Sequence, residues 1–291
     1  MAASKFRVPV LNPCDPRALL REHGIHPSRA LGQNFLADPN TARRIVRLAD
    51  VGPGTRVLEI GPGLGALTVA LAEAGATVHA LELDRHLIPI LKAVVSGIPN
   101  VTVEQGDALT WDFAALRDEP LRDKSLRDKS WVCVSNLPYN VATPVVARLL
   151  EEAPQMTRML LMVQREVGER LVAPPGSRIY GAVSVKVAYH ATSRIVGAVP
   201  PTVFVPRPKV DSALVLLERR PAPSVDVPSY DALFRLVGAG FAQRRKMLRR
   251  ALVPVLADRT EAVLIAAGVA PTERAEALDL ESWASLARAA S

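Results

Sequence analysis

"VLEIGPGLGALT", residues 57–68, is the stretch on which the fold is read. An aliphatic run stops at Gly61, Gly63 and Gly65, and a helix-compatible segment follows at once. Glycine tolerates φ > 0 and lets a ligand approach the backbone closely. A strand, a glycine turn and a helix in that order form the corner at which a parallel sheet receives a nucleotide-type ligand. With Ala66 the run also satisfies G-x-G-x-x-G/A, and Glu82 lies 21 residues after Gly61, so on this motif alone a dinucleotide enzyme stays open.

Outward from that turn, short β-branched runs alternate with amphipathic stretches. "RVLEI", "TVHALEL", "VTVEQ", "WVCVSN", "MTRMLLMV" and "SALVLLER" read as strands, and "ALTVALAEAG" and "HLIPILKAVVSG" as helices between them. The rhythm predicts βαβ units and a mainly parallel sheet with helices on both faces. Ahead of it, "ADPNTARRIVRLADV" predicts a helix with Asp38 at the N-cap and Pro39 in the first turn. "RRPAPSVDVPS" is proline-rich and aperiodic and sets a boundary after residue 220. An α/β domain over 1–220, with a helical extension over 1–50, is thus expected to precede a small helical domain over 221–291. In the latter, "YDALFRLVGAGFAQ", "RKMLRRALVPVLA", "RTEAVLIAAG" and "ESWASLARAA" carry apolar residues at helical spacing. The tandem "LRDKSLRDKS" at 121–130 reads as a solvated surface loop.

The third strand ends at "EQGDAL", which places Asp107 at the same sheet edge as Glu82. Two carboxylates there suit an adenosine: Glu82 is expected to accept its ribose hydroxyls and Asp107 its exocyclic amine. Each is also a residue type that caps a following helix. Glu59, inside the strand before the glycines, reads as mainly structural. The fourth strand delivers "VSNLPYNVATP", residues 134–144, to the same edge. Pro138 forces the chain out of both helix and strand and holds Leu137 extended. The Asn136 side-chain oxygen, a nearby backbone carbonyl and the Tyr139 ring then give two acceptors and a π-face, which match a flipped-out purine with an exocyclic amine. The lone pair of such an amine is delocalised into the ring, and acceptors on its two N–H bonds favour a tetrahedral nitrogen. Transfer of an activated methyl group to it needs positioning and electrostatics but no general base. On spacing alone, N-x-P-Y is also an ordinary turn.

At 291 residues the chain has room for a full-sized core. Its 36 Lys and Arg against 29 Asp and Glu leave +7, which favours a polyanionic partner. Cys14 and Cys133 are too far apart in sequence for a C-x-x-C pair, and His23, His26, His79, His86 and His190 show no ligand spacing, so no metal is expected. No window approaches the about 18 apolar residues of a membrane span, and the N-terminus lacks the apolar core of a signal peptide. The expectation is a soluble, cytoplasmic protein without a membrane partner.

Eight segments taken in order carry a resemblance. "GQNFL" (32–36), "EIGPGLGALT" (59–68), "ELD" (82–84), "GDAL" (106–109), "NLPYN" (136–140), "QREVGERL" (164–171), "FVPRPKVDSA" (204–213) and "FAQRRKMLRRAL" (241–252) resemble the S-adenosylmethionine-dependent rRNA adenine N6-dimethyltransferases, above all the bacterial small-subunit type. The resemblance implies a class I methyltransferase with a Rossmann-like, seven-stranded sheet. It implies a cofactor pocket that uses Asn34, Leu36, Gly61, Gly63, Glu82, Asp107 and Asn136. It further implies that Tyr139 and Phe204 sandwich the target adenine while Asn136 and the Pro138 carbonyl hold its amine. By itself Phe204 reads as a core or turn aromatic. The implied partner is 16S rRNA in the 30S subunit or its precursor, where two adjacent adenosines in the 3′-terminal hairpin loop are each methylated twice. A single-copy RNA target suits a monomer.

"AQRRKMLRR" holds five cations, Arg244, Arg245, Lys246, Arg249 and Arg250, on a segment that reads as helix. That density suits phosphate contacts, which give affinity and register without base readout. Arg207 and Lys209, flanking Pro208, are expected to grip the backbone of the flipped nucleotide, and Arg43, Arg44 and Arg47 to extend this surface. Three rival readings accompany the small-subunit one: a macrolide-resistance type of large-subunit rRNA methyltransferase, a non-catalytic RNA-binding assembly factor, and a nicotinamide dehydrogenase.

Overall fold

Every residue of the strand Arg56–Ile60 is buried, as a central parallel strand covered on both faces requires. It belongs to a computed structural model that describes residues 15–117 and 130–291. Cys14, the first residues of the expected N-terminal extension and the tandem repeat up to Lys129 lie outside the described residues. In chain order the elements are α1 (Pro16–Glu22), β1 (Phe35–Leu36), α2 (Pro39–Leu48), β2 (Arg56–Ile60), α3 (Ala66–Glu73), β3 (Thr77–Glu82), α4 (Ile88–Val94), β4 (Val101–Gln105), β5 (Trp131–Asn136) and α5 (Ala142–Glu152). Next come β6 (Met156–Gln164), α6 (Arg165–Leu171), α7 (Ala182–His190), β7 (Ala191–Val199), β8 (Phe204–Val205) and β9 (Ser212–Arg219). The C-terminal helices are α8 (Tyr230–Ala242), α9 (Leu248–Ala251), α10 (Val253–Leu256), α11 (Thr260–Ala266) and α12 (Leu280–Ala290).

Seven strands form the main sheet in the order β4-β3-β2-β5-β6-β9-β7. The pairs from β4 through β6 are parallel, whereas β9 runs antiparallel to both β6 and β7. From β2 the chain builds outward through β3 and β4, then returns to lay β5 on the other side. The carboxyl ends of β2 and β5 therefore flank the crevice where strand order reverses, the usual ligand site of open α/β sheets. Leu58, Ile60 and Cys133 pack with Val145, Val146 and Leu149 of α5 on one face. On the other, Val57, Val78 and Val134 pack with Ile45 of α2 and Leu71 of α3.

The six strands read from sequence are present, and α2 carries Asp38 as its N-cap, accepting from Asn40 N and Thr41 N. The seventh, β7, escaped that reading. It is an edge strand with mixed exposure and a register shift between Ile195 and Gly197, so neither alternation nor a continuous apolar run marks it. Arg44 donates from Nη1 to Ala198 O of this edge at 3.0 Å.

The predicted helix over 245–257 is also corrected. After α8 the chain turns at 243–246, with Met247 extended, and only Leu248–Ala251 and Val253–Leu256 are helical. Leu248 N and Arg249 N donate to Glu273 O and Pro271 O rather than to carbonyls four residues back. The helical region shares its core with residues before the linker: Leu233, Leu236, Leu248 and Trp283 cluster with Tyr180, Val185 and Tyr189.

Candidate active site

Asn136 ends β5 and Gly61 follows β2, side by side at the reversal of strand order, and a cleft opens between them. Counted out to its solvent mouth it spans about 810 Å³. Asn34, Leu36, Gly61, Gly63, Glu82, Asn136, Pro138 and Tyr139 all line it. The glycine turn has no room for side chains. Gly63 has φ 58°, and a Cβ there would lie 2.8 Å from the Phe35 ring.

The outer wall is the segment before β1, tied to the two arms of the site by side-chain amides. Asn136 Nδ2 donates to Asn34 O at 3.0 Å, Asn140 Nδ2 to Ala30 O at 2.7 Å, and Gln33 Nε2 to Asp84 Oδ2 at 2.8 Å. The Asn136 amide nitrogen is committed to Asn34, and its Oδ1, in a residue that lines the cleft, is buried and without a hydrogen-bond partner. A buried acceptor in that state costs free energy until a donor reaches it. The Pro138 carbonyl accepts from Val141 N at 3.2 Å and keeps a second lone pair. Tyr139 is half-buried, and its hydroxyl lies 2.6 Å from Ser212 Oγ.

Glu82 clamps the glycine turn to β3: Oε2 accepts from Gly63 N and Oε1 from Asp84 N, both at 2.9 Å. Burial raises its pKa against the pull of those amides. Each oxygen retains acceptor capacity for a hydroxyl. Glu59, read as structural, also lines the cleft. It is 1% exposed, its Oε2 has no hydrogen-bond partner, and burial lifts its pKa to about 8, opposed by the neighbouring Thr68 hydroxyl and reinforced by Glu82. A carboxyl inside the otherwise apolar run "VLEI" was the signal in the sequence. A glycine cradle, two buried acidic side chains and an orphaned amide oxygen suit a cationic, nucleoside-bearing ligand such as S-adenosylmethionine.

Two expected members stand apart. Asp107 does not line the cleft. β4 lies two strands from the crevice, and Asp107 Oδ1 accepts from Leu109 N at 2.8 Å, capping the turn after the strand. Phe204 is 2% exposed and pairs with Leu36 across the β1–β8 ladder inside the core, where burying the ring is favourable. Tyr139 thus lines the cleft, and Phe204 does not.

Of the expected phosphate contacts, Arg207, Lys209, Arg245, Lys246, Arg249 and Arg250 are exposed. Arg244 is half-buried. Its Nε pairs with Glu276 Oε2 at 2.8 Å and its Nη2 donates to Arg178 O, so it ties the loop after α6 to the helical region. Among the described residues no cluster of His, Cys, Asp and Glu could hold a metal ion, and no helix is long and apolar enough to cross a membrane.

The family model for ribosomal RNA adenine dimethylase matches residues 26–291. Ribosomal RNA small subunit methyltransferase A of Moorella thermoacetica is 43% identical, the match covering 96% of this chain and 98% of the relative. The protein of that name from Kineococcus radiotolerans is 46% identical over 96% and 91%. Among solved structures, a dimethyladenosine transferase from Plasmodium falciparum aligns at TM-score 0.67 and 25% identity, over 87% of this chain and 95% of that one. The 23S rRNA methyltransferase ErmE aligns at 0.62 and 28%, over 88% and 99%.

Proposed function

Because the chain belongs to the ribosomal RNA adenine dimethylase family, we propose that it methylates N6 of two adjacent adenosines in the 3′-terminal hairpin loop of 16S rRNA, each twice, in the 30S subunit or its precursor. It is an S-adenosylmethionine-dependent rRNA adenine dimethyltransferase. The observation that carries the reading is the Asn136 Oδ1 atom, buried and unpartnered in a cleft that it shares with Tyr139, Glu82 and the glycine turn.

S-adenosylmethionine, when bound, supplies an electrophilic methyl group on a sulfonium. Gly61, Gly63, Asn34 and Leu36 would form the walls of its pocket, and Glu82 would accept from its ribose. On the substrate side, Asn136 Oδ1 and the Pro138 carbonyl accept the two amine hydrogens, and Tyr139 supports the face of the extruded base. As the nitrogen gains positive charge these fixed dipoles bind it more tightly, so they act on the transition state more than on the ground state. Asp107 contributes by shaping the turn after β4, and Phe204 by holding the β1–β8 ladder.

Labelling tests the substrate. Purified 30S and 50S subunits from cells without the modification are incubated with the protein and methyl-labelled cofactor, and digested RNA is analysed by mass spectrometry. Label in 30S as dimethyladenosine is expected. Label confined to 50S overturns the small-subunit reading in favour of the large-subunit one. Binding without label in either overturns it in favour of a passive assembly factor.

The division into a methyltransferase domain over 1–220 and a helical RNA-binding domain over 221–291, a cytoplasmic location and a monomeric state complete the proposal. The turn after α8 presents Arg245 and Lys246, and α9 presents Arg249 and Arg250. Changing these four to Gln is expected to weaken 30S binding and to flatten its salt dependence by about 0.7–0.9 in log–log slope for each phosphate that is no longer neutralised. Arg244→Gln is expected to leave the slope near that of the wild type, since its partners are Glu276 and the Arg178 carbonyl. Filter binding across a salt series reads both, and equal slopes for the fourfold variant and the wild type remove these residues from the interface.

A further inference from the structure

Ser212 opens β9 with 1% of its surface exposed. It is the one polar residue in a run of otherwise apolar buried positions, Ser212 through Leu217. A hydroxyl so placed is costly unless it is paired. Its hydrogen-bond partner is the Tyr139 hydroxyl at 2.6 Å, 73 residues earlier in the chain. Ser212 itself does not line the cleft, whereas Tyr139 does.

The two ends of this bond differ in rigidity. Ser212 sits on a strand paired on both sides, opposite Gln164 of β6 and Val199 of β7. Tyr139 sits in the turn after Pro138, where no strand ladder holds the backbone. A tyrosine has two side-chain torsions, and a hydrogen bond at the far end of the ring restricts both. Ser212 fixes that end to the antiparallel half of the sheet. A phenol hydroxyl bonds close to the plane of its ring, so the contact sets the ring's tilt.

We propose that Ser212 is a positioning residue for methyl transfer: it latches the Tyr139 hydroxyl to β9 so that the ring presents its face to the target base. This rests on the reading of the cleft as an adenine-N6 site. Without the latch the base is still admitted but is held in more than one orientation, and in-line transfer is sensitive to such misplacement. The loss therefore falls on turnover rather than on RNA affinity.

The test is a double-mutant cycle of Ser212→Ala and Tyr139→Phe on unmodified 30S subunits, with Asn136→Ala as reference. Each single change is expected to lower kcat about tenfold, the upper range for one neutral hydrogen bond, with KM for 30S unchanged. The double variant is expected to be no slower than either single one, because both remove the same bond. Ser212→Thr, which keeps a hydroxyl, is expected to recover most of the rate. A purely structural Ser212 would lower thermal stability equally whether Tyr139 is intact or changed to Phe, and its effect on rate would multiply with that of Tyr139→Phe. Such multiplication, or a Ser212→Ala enzyme within twofold of wild type, overturns the latch. If Ser212→Ala misfolds, Tyr139→Phe reaches the same bond from the cleft side, and unchanged kcat in that variant overturns it too. Should Asn136→Ala also turn over normally, the adenine-N6 reading itself has failed. An inactive Asn136→Ala beside an unimpaired Ser212→Ala and Tyr139→Phe sinks the latch alone.

Discussion

Asn136→Ala is expected to bind 30S subunits with unchanged affinity and to methylate them about a hundredfold to a thousandfold more slowly, the range seen when one pre-placed dipole is removed from a charge-developing centre. The size of the effect follows from how little else in the site does chemistry. No general base is needed, since the amine sheds its proton after transfer, so the rate depends on orienting the nitrogen lone pair and stabilising its growing charge. Asn136 Oδ1 is buried with no hydrogen-bond partner of its own, and its orientation is fixed by the 3.0 Å bond from Nδ2 to Asn34 O. Alanine removes both. Loss of the Nδ2 bond also loosens the segment before β1, so calorimetry with S-adenosylmethionine is the companion measurement. A weakening of cofactor binding much smaller than the fall in turnover assigns the loss to the amine-holding oxygen. Turnover unchanged in the variant refutes that role.

Much of this site was legible because strand ends are predictable. A buried strand must stop where Gly61 or Pro138 interrupts it, and parallel strands stop at the same edge, so Gly61, Glu82 and Asn136 were placed together by reading alone. Residues whose importance lies in a distant partner were not legible. Ser212 looks like any strand serine until Tyr139 is brought to it, and Arg244 looks like a phosphate contact until Glu276, 32 residues on, takes its guanidinium. The break in the helix at 243–247 is illegible for the same reason: the amides of Leu248 and Arg249, just after it, are satisfied by Glu273 O and Pro271 O, which no local pattern announces. Phe204 shows the converse. Its own context indicated a core aromatic, the family resemblance indicated a stacking wall, and the ring lies in the core.

Glu59→Gln is expected to stabilise the cofactor-free protein at alkaline pH and to change it little near pH 5. The Glu59 carboxyl has its pKa raised by burial from 4.5 to about 8, so between those values the folded protein holds a proton that the unfolded chain has released. Stability then falls as pH rises, by at most about 1.4 kcal/mol per pH unit, and levels off once pH passes the folded value. Glutamine keeps the shape of the protonated acid and carries no titration, so the variant gains on the wild type across the window from 4.5 to about 8. His190 works in the opposite sense. Burial holds its pKa down at about 4, so it adds stability as pH rises toward 6.5, but it does so in both proteins and cancels in the difference. Cys133, raised to about 12, is neutral throughout. Glu82, whose pKa burial also raises, gives the variant a residual decline of the same sign as the one removed. Denaturant unfolding of both proteins from pH 5 to pH 9 measures the difference. Curves that run parallel over that range mean that Glu59 is already ionised in the folded protein, which then carries two carboxylates in an apolar cleft before any cation arrives.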